Sequence, residues 1–287
     1  MNFVYKIPGP LLILTGGFCL SWGGLILRTF ESASIWQILF YRSIFFLWVL
    51  IAFILLTYGK KTLSRIKVAG LPGIVGGIFL SISFVAYMYS MMETTVANVV
   101  FIISTQTVFL PILAYFLLKE KISPRGLAAI VLAMIGVILM IGDSLGSGSL
   151  KGNIVALAIP INFSILILII RKYPKVDMVP AIFYAGIFSC IYGLLLLENI
   201  NISVKDVWLS FLLGVPQLAF GFIFITIGSR TTPAVMVGLL MLLETIFAPI
   251  WVWLFFNEIP PASVLVGGII IISAVVMKSL DFGKFKR

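Results

Sequence analysis

Ten runs of roughly 20 apolar residues, divided by short charged or Pro/Gly-containing turns, take up almost the whole chain. They fall near 10–28, 34–57, 69–90, 95–118, 124–141, 152–170, 178–197, 207–228, 233–256 and 261–278. Coiled as a helix, each is long enough to cross the ~30 Å hydrocarbon layer of a bilayer. Only 10% of the 287 residues are charged, against about 25% in a soluble domain, and 61% are hydrophobic. No soluble core hides that much apolar surface. The expected fold is an all-α polytopic membrane protein with ten transmembrane helices, whose connections leave no room for a soluble domain.

The turns carry the orientation. With the N-terminus inside, the inner segments hold 16 of the 20 Lys and Arg residues, and the outer ones hold only Arg28, Lys151 and Lys205. Basic residues keep loops on the cytoplasmic side. Both termini are therefore expected in the cytoplasm, in a plasma (bacterial inner) membrane. The net charge of +10 reads as topology and attraction to anionic lipid, not as a nucleic-acid footprint. No A-x-A site follows the first run, so it is not read as a signal peptide. Histidine is absent, and Cys19 and Cys190 sit in apolar runs, so no metal, cofactor or disulfide is expected. A Walker loop is missing, which leaves a proton or substrate gradient as the driver. Without H-E-x-x-H, paired aspartates or a nucleophile–base pair in the runs, an intramembrane enzyme is disfavoured.

The chain also repeats itself. Residues 103–120, ISTQTVFLPILAYFLLKE, match 241–258, MLLETIFAPIWVWLFFNE, at Thr107/Thr245, Phe109/Phe247, Pro111/Pro249, Ile112/Ile250 and Glu120/Glu258. ILFYRSIFF (38–46) resembles AIFYAGIFS (181–189), LILR (25–28) resembles LIIR (168–171), and METTVA (92–97) resembles SRTTPA (229–234). Arg42 falls on Ala185 in the second run and Pro111 on Pro249 in the fourth, so the spacing between the copies stays nearly constant. Five runs thus repeat as five, 1–146 and 147–287, joined at the Gly/Ser-rich stretch 142–152. Five is odd, so the second copy enters from the opposite face, an arrangement typical of secondary transporters.

On these residues the chain resembles EamA-type members of the drug/metabolite transporter superfamily. The motifs are LSWGG (20–24), Arg42 in FYRS, TTVA…P…LLKE (94–120) and TTPA…LLE…P…FFNE (231–258). The resemblance spans essentially the whole chain. It implies two inverted five-helix bundles around a central cavity and transport of amino acids, nucleosides, vitamins, sugars, amphiphiles or drugs. Thr245 departs from the pattern, since many relatives carry proline directly after the glutamate of the ninth run, which puts the local helix bend in question.

Polar groups inside the runs mark where a site would form, because each is costly in lipid. Glu244 lies near the midplane of run nine, and Arg42 roughly 12 Å below the outer surface in run two. Gln106, Asn162, Gln217, Ser81 and Ser83 fall at middle depth on four other runs. Polar groups avoid lipid, so they are expected to converge on a central cavity, with Trp22, Tyr41, Tyr87 and Trp251 as aromatic walls. Each has a plainer reading too. Asn162 and Gln217 fit interhelical hydrogen bonds as well as substrate contacts, Ser81 and Ser83 fit packing, and Arg42 fits a tie to backbone carbonyls of runs one and two. Glu120 and Glu258, at run ends, are read as solvated topological markers. Gln106 and Ala185 stand opposite Glu244 and Arg42 in the repeat, so neither charge is demanded by a symmetric scaffold. Glu244 is also the one midplane group able to carry a proton. The expected function is secondary transport, by a monomer, of a small polar or amphipathic metabolite. An amino-acid-like zwitterion is favoured, its ammonium on Glu244 and its carboxylate on Arg42. A lipid-carrier flippase and a broad-specificity drug exporter are the alternatives.

Overall fold

The computed structural model describes residues 3–94, 96–141, 149–257 and 262–282. Ser147 and Glu258 lie outside them. The described chain is helical: α1 Gly9–Leu20, α2 Gly23–Leu27, α3 Ile35–Tyr58, α4 Thr62–Glu93, α5 Val96–Ser104, α6 Gln106–Leu118, α7 Pro124–Ile141, α8 Leu150–Ala156, α9 Ala158–Lys172 and α10 Val179–Leu196. Then follow α11 Val204–Leu212, a π-helical segment Leu213–Ala219, α12 Phe220–Ser229, α13 Ala234–Met241, α14 Leu243–Phe256 and α15 Ala262–Phe282. Eight helical stretches among the described residues are long and apolar enough to cross a membrane. One, Ile35–Glu93, has 59 residues, more than twice what a single crossing needs, and it turns at Gly59 (φ 52°). Pro124–Leu139 is apolar but shorter.

Helix starts follow the local chemistry. Ser34 caps α3 in a reciprocal box with Gln37, Ser149 accepts the Gly152 N–H, and Ser203 accepts the Asp206 N–H. The helix that carries the apolar run expected from 69 begins earlier, at Thr62, and α4 is two helices meeting at a kink where Gly70 (φ 51°) leaves the helical conformation two residues before Pro72.

Five expected runs are broken inside. Two of the breaks have the same geometry. At the first, Thr105 donates to the Ile102 carbonyl and Val108 to that of Thr105. At the second, in the matching run of the other half, Leu242 donates to Leu239 and Thr245 to Leu242. Each is a tight i→i−3 turn inside a helical run. Thr245 supplies an N–H that proline in its place would lack. The left-handed caps Lys119 (φ 57°) and Asn257 (φ 54°) close α6 and α14, each directly before the glutamate of its repeated phrase.

Glycines bring helix backbones together, and they do so in matching places. A Cβ on Gly77 would lie 2.8 Å from the Ala181 carbonyl, and one on Gly214 would lie 2.5 Å from the Arg42 carbonyl. Gly9 meets Thr231 and Thr232, and Gly152 meets Glu93 and Thr94. α3 and α10 run antiparallel, with Gly193 against Phe40 and Gly186 against Phe46 and Leu47. α7 and α15 do likewise: Lys278 Nζ donates to Ser123 Oγ at 2.9 Å, and Gly136 meets Gly267 and Ile271 further along.

Candidate functional site

The break in the ninth run sets Glu244 one residue into α14, beside the small residue Gly17 of α1, whose Cβ would lie 3.9 Å from the Glu244 nitrogen. Glu244 is partly buried and makes no hydrogen bond or ion pair with the described residues. Arg42, on α3, is 3% exposed. Its Nη2 donates a long 3.4 Å hydrogen bond to the Phe84 carbonyl, and its guanidinium lies 5.4 Å from the centre of the Phe84 ring. Nε has no partner. The backbone tie is thus to α4, not to runs one and two. Arg42 and Glu244 do not pair directly. Tyr87, on α4, stands within electrostatic reach of both.

Gln217 and Tyr87 meet at the bare backbone of Gly23. A Cβ there would lie 3.0 Å from Gln217 Nε2 and 3.6 Å from Tyr87 Oη. Gln217 sits in the π-helical segment beside Pro216, and its Nε2 donates to the Leu20 carbonyl at 3.1 Å, a carbonyl left over where α1 ends. Its Oε1 is enclosed and unpaired. The interhelical reading of Gln217 therefore holds for one half of the amide and leaves the other orphaned.

Trp22 follows the same break. Its ring lies 4.3 Å from that of Trp251, whose Nε1 donates to Ser21 Oγ at 2.8 Å. Phe18 and Phe247 pack edge-on at 5.3 Å and join this cluster. Glu244, Phe247 and Trp251 are spaced i, i+3, i+7, so they share one face of α14. Next to it, a groove of about 560 Å³ lies between α1–α2 and α11–α12, with Phe18, Trp22 and Gln217 in its wall.

The other expected residues stand apart or less connected. Gln106 and Asn162 are buried, with no side-chain hydrogen bond among the described residues. Counted from the helix breaks, Glu244 corresponds to Thr107; counted from the left-handed caps, it corresponds to Gln106, because α14 has 14 residues and α6 has 13. Thr107 Oγ1 donates to the Gly238 carbonyl, where α6 crosses α13. Tyr41 turns away from the cluster and donates to the Ile200 carbonyl at 2.8 Å. Ser81 and Ser83 bond backbone carbonyls, in keeping with packing.

Sequence reasoning missed two polar centres. Glu120 is not a solvated marker: Oε1 accepts both Nε and Nη2 of Arg171, and Oε2 accepts the Ala234 N–H. Arg171 also donates to the Ser229 carbonyl, so one carboxylate draws together the ends of α6, α9 and α12 and the start of α13. The repeated phrases LIIR and LLKE carried that signal, since both keep a charge at the run's end. Asp206 is fully buried and collects the N–H groups of Glu31, Ser32 and Ala33. Nothing in the sequence near 206 pointed to that loop.

A profile of the EamA-like transporter family matches residues 7–142 and 150–280. Solute carrier family 35 member G1 of Homo sapiens is 26% identical over 297 residues, covering 94% of this chain and 80% of that protein. The S-adenosylmethionine uptake transporter of Rickettsia bellii is 25% identical over 256 residues, covering 88% and 84%. A solved crystal structure shares the fold, with a TM-score of 0.80 over 97% of this chain and 99% of its own, at 16% identity. With apolar helices able to cross a membrane and a family match over nearly its full length, the chain belongs to the EamA-like transporter family, within the drug/metabolite transporter superfamily.

Proposed function

We propose that the chain is a ten-span secondary transporter that moves a small zwitterionic metabolite by alternating access, with Glu244 and Arg42 as the opposed charges of its site. The observation that carries this is the arrangement around Tyr87. Glu244 and Arg42, of opposite charge, both lie within electrostatic range of Tyr87 and are not paired with each other. A ligand bearing a cation and an anion fits between them, and the empty protein is free to protonate Glu244 instead. A relative described as an S-adenosylmethionine uptake transporter favours a small charged metabolite here too.

The ten-span count follows if the 59-residue stretch crosses twice and Pro124–Leu139 crosses once. Several features support an inverted repeat of 1–146 and 147–287. The helix breaks at Thr105 and Leu242 and the left-handed caps at Lys119 and Asn257 recur at nearly the same spacing, and the paired glycine contacts match. The equivalent helices α3 and α10, and α7 and α15, also pack antiparallel, as copies related by inversion would. The family match likewise falls in two stretches, one per repeat. Such symmetry offers two near-equivalent packings, one open to each side.

The apolar groove beside Trp22 favours a second reading, export of amphipathic drugs entering from the lipid side, since Phe18, Phe220 and Phe255 in its wall are exposed. Uptake of labelled amino-acid-like zwitterions and of a lipophilic cation into liposomes separates the two. Glu244→Gln keeps the shape and removes the charge, and is expected to abolish zwitterion flux while melting like the wild type. Wild-type flux in that variant would make the charge structural and the proposal wrong.

A further inference from the structure

At the end of the bundle opposite Lys205 and Asp206, basic side chains converge on a basin of about 360 Å³ that the transport site does not use. Lys61 and Arg65 come from the turn after α3 and the start of α4, Lys175 from the connection between α9 and α10, and Arg230 from the end of α12. One carboxylate, Asp177, faces them. It is already committed: Oδ1 accepts the Val179 N–H at 3.0 Å, and Oδ2 accepts the Tyr5 hydroxyl. Burial and the neighbouring Asp177 push the Tyr5 pKa upward, so that hydroxyl stays protonated and keeps donating. Arg230 is held in place by giving Nε and Nη2 to the Pro174 carbonyl, with its guanidinium over the Tyr5 ring. Lys61, Arg65 and Lys175 have no ion pair among the described residues.

Lys61, Arg65, Lys175 and Arg230 around the single carboxylate of Asp177 leave a net positive potential in a concave, polar space. Like charges repel, so sharing one basin favours an anion among them. A solvated topological marker needs no basin, and its side chains spread apart. We propose that this basin binds a phosphate group, held by Lys61, Arg65 and Lys175. The phosphate is carried by the headgroup of an anionic phospholipid or arrives as a free anion. Both sources offer the same chemistry: a compact, multiply accepting anion suited to lysine and arginine donors. The walls come from both halves of the chain, so an occupant bridges residues 5–65 and 175–230.

The full-length protein, stripped of lipid in neutral detergent, is titrated separately with phosphatidylglycerol, phosphatidylcholine and inorganic phosphate, and binding is read by native mass spectrometry and melting temperature. Phosphatidylglycerol is expected to bind more tightly than phosphatidylcholine. Lys61→Gln/Arg65→Gln is expected to weaken it about 30-fold, and Lys175→Gln about fivefold, on the scale of one interfacial charge each. Lys205→Gln, at the other end, is expected to bind like the wild type. Saturable binding of inorganic phosphate, lost in the same variants while the two lipids bind alike, assigns the site to a soluble phosphate. If neither phosphatidylglycerol nor phosphate binds, or if all variants bind like the wild type, the proposal is overturned. Lys175→Gln changes one exposed loop residue, so it remains informative if the double variant folds poorly.

Discussion

Replacing Asp206 by alanine removes the acceptor for four hydrogen bonds: the N–H groups of Glu31, Ser32 and Ala33 at 3.1, 3.2 and 3.0 Å, and Ser32 Oγ at 3.2 Å. Hydrogen bonds to a buried charge contribute about 1.5–3 kcal/mol each, so a plain sum reaches about 6–12 kcal/mol. Two effects cut it down. The carboxylate lost solvation on burial, at a cost of several kcal/mol. Glu31 and Ser32 are also exposed, so water can replace the acceptor there, whereas Ala33 is half-buried. A net loss of about 3–5 kcal/mol remains. Asp206→Asn keeps the volume and one acceptor oxygen, but points donors at donors, and is expected to lose about 2–4 kcal/mol. Lys205→Ala breaks the neighbouring pair with Glu31, whose side chains are 53% and 57% exposed, and is expected to change stability by less than about 0.5 kcal/mol. Unfolding of the purified variants by SDS titration, at fixed detergent composition, gives the three differences. If Asp206→Ala unfolds together with Lys205→Ala, the loop from 28 to 34 is not held by this carboxylate and the reasoning fails.

Gly214→Ala places a methyl 2.5 Å from the Arg42 carbonyl and 2.8 Å from Phe45 Cβ, forcing α3 and the π-helical segment apart; a loss of about 1–3 kcal/mol is expected in the same titration. Gly24→Ala meets nothing within 4 Å and is expected to be neutral or slightly stabilising, so equal losses in the two would refute the close-packing account. For topology, a cysteine at exposed Asn201 is expected to react with an impermeant thiol reagent from outside the cell and one at exposed Ser64 is not, and the reverse pattern would invert the proposed orientation.

The positions of the helices were legible because the bilayer imposes one strong constraint: backbone polar groups must be satisfied within the segment. Apolar length therefore marked runs that the structure makes helical within a few residues, such as 124–141 and 233–256. Breaks inside the runs were less legible. Pro216 and the LSWGG phrase hinted at them, but the tight turns at Thr105 and Leu242 rest on no proline or glycine. The polar contacts were least legible, because they depend on which helices become neighbours. Arg42 was read against runs one and two, yet its carbonyl partner is on α4. Glu120 looked like an end marker until α9 and α13 brought it Arg171 and the Ala234 amide. Asp206 was one charge near a run's start, with nothing local to show that the loop before α3 folds back onto it.

The repeat supplies its own control for Arg42. The equivalent position, Ala185, is fully buried, and a Cβ on Gly77 would lie 3.0 Å from its nitrogen. Around Arg42 the same relation holds, with Gly214 against the carbonyl. Both helices thus pack their backbones against a glycine, and at Ala185 a methyl group completes the packing. On that comparison the backbone joint itself does not call for the long charged side chain of Arg42. Its Nε is enclosed without a partner, and its one hydrogen bond is long, so it is an expensive group to bury. Arg42→Ala removes that cost and leaves a cavity, two effects of opposite sign. Stability is therefore expected to stay within about 1 kcal/mol of wild type, in contrast with the roughly 3–5 kcal/mol typical of breaking a well-made buried pair. Zwitterion flux is expected to fall as far as in Glu244→Gln. A variant that transports normally, or one that loses about 3 kcal/mol or more, would mean that Arg42 is held for the fold and not for a ligand.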